Sequence, residues 1–117
     1  MSSRTISRST SSIEWNRPGV ELYHLIRAVT RPYPGAFAAF RGARCTIWQA
    51  DVRPSPLTGT LPAPGTVIKL GPFQIVTGDG LLIPRRLQLE GEPELDDDAF
   101  ITRYHVGVGD RFTHGMP

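Results

Sequence analysis

Among its 117 residues the chain has one cysteine, one lysine, one asparagine and three histidines. Each scarcity closes off a class of chemistry. A single thiol, Cys45, cannot form an internal disulfide and fits a reducing compartment, so the chain is expected in the cytoplasm. His24, His105 and His114 have no second His or Cys at ligand spacing, so no zinc site is expected. No apolar run approaches the roughly 18–20 residues that cross a bilayer, and no membrane partner is expected. Residues 1–12 are rich in Ser and Arg and lack the apolar stretch of a secretory signal, so they read as a disordered lead-in or linker. There is no Gly-x-Ser-x-Gly elbow, no paired acid and base, and no phosphate loop with its lysine. Gly107-Val108-Gly109 reads as a turn. Nothing here makes an active site, and neither a metal nor a cofactor is expected.

What is present reads as one soluble domain, with 39% hydrophobic and 21% charged residues. The net charge of +2 conceals an asymmetry. Residues 1–58 hold eight arginines against three carboxylates, whereas residues 59–117 hold five basic and eight acidic side chains. The basic half is either a solvated surface or a face for a phosphate-bearing partner.

Asn16 suits a helix N-cap and Pro18 a first turn. Leu22, Leu25, Ile26 and Val29 then trace one apolar stripe, which predicts a helix over residues 17–30. Pro32, Pro34 and Gly35 form a rigid corner. Beyond it, strands are expected over 36–40 and 44–52, joined by a turn at 41–43, with apolar residues on both faces of the second. Residues 53–64 read as a Pro-rich loop. Further strands follow over 65–70, 73–77 and 81–89, the last two forming an Asp-Gly hairpin, with Pro84 at an edge or a bulge. Asp96, Asp97 and Asp98 suit the N-terminus of a short helix over 99–103. Residues 105–112 close the domain, and 113–117 form a tail. The whole is mainly β with flanking helices, and short strands broken by Gly and Pro favour a small closed barrel.

The candidate partner contacts are arginines. Arg27 and Arg31 sit one turn apart near the helix C-terminus, where they either compensate the dipole and bond the corner carbonyls or present two guanidinium forks to a partner. Arg41 and Arg44 flank a turn and extend the same basic surface. Trp48 is either a core residue or an aromatic platform beside them.

A series of motifs carries a resemblance. Ile13-Glu14-Trp15 and Pro18 are followed by Leu25-Ile26-Arg27-Ala28, Pro32-Tyr33-Pro34-Gly35-Ala36-Phe37 and Thr46-Ile47-Trp48. Pro64-Gly65-Thr66-Val67-Ile68, Gly78-Asp79-Gly80, Leu87-Gln88-Leu89-Glu90-Gly91 and Gly109-Asp110-Arg111-Phe112 complete it. Over residues 13–112 this order resembles the C-terminal domain of the formyltransferase family, best known from methionyl-tRNA formyltransferase. The resemblance implies a small OB-like barrel that follows a Rossmann-type catalytic domain in full-length relatives. That catalytic domain holds 10-formyltetrahydrofolate and an Asn, His and Asp that transfer the formyl group, and none of these maps onto this chain. In tRNA-acting members the C-terminal domain is associated with RNA binding through basic residues; in sugar-acting members it is mainly structural. The expectation is therefore a non-enzymatic domain that supports or positions the amine acceptor, tRNA or sugar nucleotide, for a separate catalytic domain or chain. The chain begins about where an interdomain linker would lie, so a catalytic domain is expected to be lost or separately encoded. Residues 54–64 form a longer loop than the family pattern leads one to expect. The competing expectation is a free-standing OB-like nucleic-acid-binding module.

Overall fold

Leu22 and Ile26 lie four residues apart, and each keeps only 1% of its surface exposed. Burying such a side chain stabilises by about 1.5–3 kcal/mol, which fixes the inward stripe of α1 (Gly19–Ala28). The computed structural model describes residues 12–29, 35–55 and 62–114. The helix starts two residues later than its sequence pattern predicts, and Asn16 does not cap it. Pro18 occupies the N-cap without any side-chain bond. The hairpin turn supplies the acceptor instead, because the Gly19 N–H donates to the Asp79 carbonyl at 2.9 Å. The Gly78 N–H donates to the Arg17 carbonyl at 2.9 Å. This approach requires glycine, since a Cβ on Gly78 would stand 1.9 Å from the Asn16 carbonyl oxygen. The helix closes with the Val29 N–H donating to the Leu25 carbonyl. Thr30 and the corner from Arg31 to Pro34 lie outside the described residues.

The strands are β1 (Ala36–Phe40), β2 (Ala43–Arg53), β3 (Val67–Leu70), β4 (Phe73–Val76), β5 (Leu81–Leu89), β6 (Leu95–Asp96) and β7 (Phe112–His114). They form one antiparallel sheet ordered β3-β4-β5-β2-β1-β7, with β6 pairing β5 off that path. The sheet curls until its ends meet. The Val67 N–H donates to the Asp110 carbonyl, the Gly109 N–H to the Val67 carbonyl, and the Phe112 N–H to the Gly65 carbonyl, each at 2.8 Å. Gly65 takes φ +94°, and a Cβ there would lie 2.1 Å from the Phe112 carbonyl oxygen. Only glycine permits this closure. The result is mainly strand with two helices, as the turn-broken pattern led one to expect.

Thr113 and His114, read from sequence as tail, are strand residues paired with Ala39 and Ala38. Ser12, read as lead-in, bridges Phe37. Pro84 lies where the β2–β5 register shifts between Gln49 and Ala50, which accommodates its missing N–H. The same shift explains why β2 shows apolar residues on both faces: Cys45 and Ile47 point inward before it, and Ala50 after it.

The short helix is longer than expected, α2 (Asp97–Tyr104), with the Asp96 carboxylate accepting from the Ala99 N–H at 2.8 Å. It lowers Phe100 into an aromatic core with Phe40, Phe73, Phe112 and Trp15, whose linked ring centroids stand 4.6–6.4 Å apart. α1 packs on β2 and β5, and α2 on β5 and β6. One main cluster of buried side chains thus fills the curled sheet, with Val76, Leu81 and Ile83 in a smaller one, and the seam between α1 and β2 stays open to solvent. No helix among the described residues is long and apolar enough to cross a membrane.

Candidate functional site

The seam between α1 and β2 is a groove of about 430 Å³. α1 contributes Tyr23, Ile26 and Arg27, β2 contributes Trp48 to Asp51, and β5 contributes Arg85. The helix turns Ile26 into the core and thereby leaves Tyr23 and Arg27, one turn apart, on the groove flank. The Arg27 Nη1 donates to the Tyr23 hydroxyl at 3.2 Å, with its guanidinium 5.6 Å from the ring centroid. No carboxylate among the described residues pairs with Arg27. On the opposite wall the Arg85 Nε donates to the Asp51 Oδ2 at 2.8 Å. Half-buried Trp48 points its indole N–H to the Gln88 side-chain oxygen at 3.0 Å, and Gln88 in turn donates to the Glu92 carbonyl. Trp48 is thus half-buried and groove-lining rather than a fully buried core residue. The groove offers two guanidinium groups, one carboxylate, a phenol and an indole.

The four candidate arginines fall into different settings. Arg27 lines the groove. Arg44 lies exposed on β2 with its guanidinium 3.8 Å over the Phe37 ring, and no carboxylate among the described residues pairs with it. Arg31 lies outside the described residues. Arg41 turns into the fold: its guanidinium donates to the Tyr104 carbonyl at 2.6 Å, the His105 carbonyl at 3.2 Å and the Asp110 Oδ2 at 2.8 Å. It also lies 4.7 Å over the Phe40 ring. These bonds reach the left-handed end of α2 at His105 and the approach to β7, and they hold Arg41 itself at φ 52° in the β1–β2 turn. The structure brings Arg41 together with Asp110 rather than with Arg27.

Two ionisable groups stand apart from the groove. The Asp110 carboxyl is held below its usual range, chiefly by the Gly107 N–H, which outweighs its partial burial, with Arg41 adding to the effect. Burial pushes the Cys45 thiol up to about 12, so it is not a nucleophile near neutral pH. Among the described residues no three His, Cys, Asp or Glu side chains converge on a point where a metal ion could sit.

Tyr23, Asp51 and Arg85 had no place in the sequence reading. The Tyr23–Arg27 spacing was a usable signal. Asp51 and Arg85 are 34 residues apart and meet only through the β2–β5 register, which no local pattern displays.

Residues 5–105 match the family described as formyl transferase, C-terminal domain. A methionyl-tRNA formyltransferase from Symbiobacterium thermophilum is 40% identical over 104 residues, covering 86% of this chain. The chain spans 31% of the length of that relative. A match over so much of the chain, on a curled sheet with two helices, settles its kinship: the chain belongs to the formyl transferase C-terminal domain family.

Proposed function

We propose that this domain is the non-catalytic part of a formyl-transfer system, supporting or positioning the amine acceptor for a catalytic domain. The family match carries the reading, and the α1–β2 groove supplies its physical basis. The name of the relative points to tRNA as acceptor over a sugar nucleotide. Arg27 is placed to meet a phosphate, because its charge has no counter-charge among the described residues and its phenol partner orients without neutralising it. Arg44 extends the surface along β2, and Arg31 belongs to the same proposed set. Arg41 contributes indirectly, by fixing the turn that carries β2. No chemical step is assigned to this domain.

The test is reconstitution. The purified chain is added to the catalytic portion of a methionyl-tRNA formyltransferase, and the rate is followed against aminoacylated tRNA concentration. The reading predicts a lower KM with the chain present and loss of that effect in Arg27→Ala. Identical kinetics with and without the chain would contradict it.

A second reading is a free-standing OB-like nucleic-acid-binding module working in a cytoplasmic setting. The guanidinium groups of Arg27 and Arg44, which pair with no carboxylate among the described residues, favour it. It predicts RNA binding in the absence of any catalytic partner, with log affinity falling against log salt. Arg27→Ala and Arg44→Ala would each lower the slope by roughly one unit. Binding without salt dependence would count against it.

A further inference from the structure

The groove's donors and acceptors fit one chemical unit. Its volume of about 430 Å³ lies in the range that takes a single small ligand. Arg27 brings a positive charge whose hydrogen-bond partner among the described residues is a neutral phenol. Asp51, the one carboxylate on the groove wall, has its Oδ2 fixed by Arg85, leaving Oδ1 open among the described residues. A bare anion would answer Arg27 but bring no donor to the Asp51 Oδ1. A neutral ligand would leave Arg27 unanswered. A molecule with both a phosphate and a nearby hydroxyl donor satisfies the two walls together. Ribose hydroxyls are commonly held by a carboxylate set beside a phosphate site.

Resting on the acceptor-positioning reading, we propose that the α1–β2 groove is a ribonucleotide subsite: Arg27 takes the phosphate, and Asp51, oriented by Arg85, accepts from the ribose hydroxyl. Arg85 holds Asp51 through its Nε, and its positive charge adds to that of Arg27 along the groove. Deoxyribose removes the 2′-hydroxyl donor, so a deoxynucleotide would cover the Asp51 Oδ1 without supplying a bond to it. The subsite therefore discriminates by sugar, whereas a plain basic patch would not. The ribonucleotide could belong to an unpaired stretch of RNA or to a nucleoside diphosphate sugar, and both share this chemistry.

The experiment measures binding of the full chain to a short single-stranded oligoribonucleotide and to its deoxyribose counterpart at one salt concentration. A nucleoside diphosphate sugar serves as competitor. The ribo form is expected to bind roughly five- to tenfold tighter, the size of one net hydrogen bond. Asp51→Ala should bring that ratio toward one without weakening the deoxy form, while Arg27→Ala should weaken both forms alike. Competition by the nucleotide sugar assigns the subsite to free nucleotides, and its absence assigns it to RNA. Equal affinity for the two sugars, a ratio untouched by Asp51→Ala, or no binding of any probe would overturn the proposal. Equal affinity with the KM effect of reconstitution intact overturns the subsite alone. A sugar preference without any KM effect overturns the acceptor-positioning role alone.

Discussion

The two ends of this domain use arginine in opposite ways. At the end where β1, β7 and α2 meet, Arg41 covers the aromatic core and donates to two carbonyls and a carboxylate. Along the α1–β2 seam, Arg27 has a phenol for a partner and no carboxylate among the described residues. The first arrangement is closed: every bond it makes ties one loop of the fold to another. The second is open: its charge meets no carboxylate among the described residues. Both arginines are exposed, and their partners separate them where exposure does not.

Substitutions should divide along this line. The largest effect belongs to the aromatic end. Phe112→Ala removes a fully buried ring that touches Trp15, Phe40 and Phe73, and should cost about 3–5 kcal/mol in denaturant unfolding. A loss under about 1 kcal/mol would mean that the sheet does not close on this core.

A smaller effect is expected of Arg41→Ala, about 1 kcal/mol, because solvent at this half-exposed position replaces part of what the guanidinium supplied. Its cost should shrink when Asp110→Asn is already present, which a double-mutant cycle reads directly. Additive costs would dissolve the link between the β1–β2 turn and the end of α2.

The pH limbs sharpen the same contrast. Asp110 has a lowered folded pKa, so it contributes stability above the ordinary carboxylate range and loses it as pH falls. Asp110→Asn should flatten that acid limb in urea midpoints. Cys45 runs the other way: its raised folded pKa means the native state keeps the proton, so stability falls as pH climbs from about 9 toward 12. A thiol reagent should leave native Cys45 unmodified at neutral pH and react on unfolding; rapid native labelling would contradict its burial.

The smallest change in stability, within about 0.5 kcal/mol, is expected of Arg27→Ala, since among the described residues it makes an exposed hydrogen bond and ring contact with Tyr23 alone. A destabilisation matching that of Arg41→Ala would erase the contrast between the two ends.

Much of this architecture is legible in the sequence where periodicity governs. The stripe through Leu22 and Ile26 announces α1, and strands β1 and β5 fall where the turn residues on either side place them. Boundaries slip where tertiary partners replace local signals. Asn16 looks like a cap, yet the Asp79 carbonyl from a turn sixty residues away takes the task. β7 is too short and polar to stand out, and it exists because Ala38 and Ala39 offer an open edge. The site was half legible. Arg27 and Trp48 were visible as a cation and an aromatic, but Asp51 and Arg85 become neighbours only through strand register. Arg41 looks equivalent to Arg27 in sequence because nothing local shows that Tyr104, His105 and Asp110 will surround it.

The most direct measurement is a backbone and indole amide NMR titration of the chain with initiator tRNA at moderate salt. The account predicts shifts concentrated at Tyr23, Arg27, Trp48, Asp51 and Arg85, with Tyr104 to Asp110 unmoved. Shifts gathered instead around Arg41 and Asp110, with the α1–β2 groove silent, would contradict it.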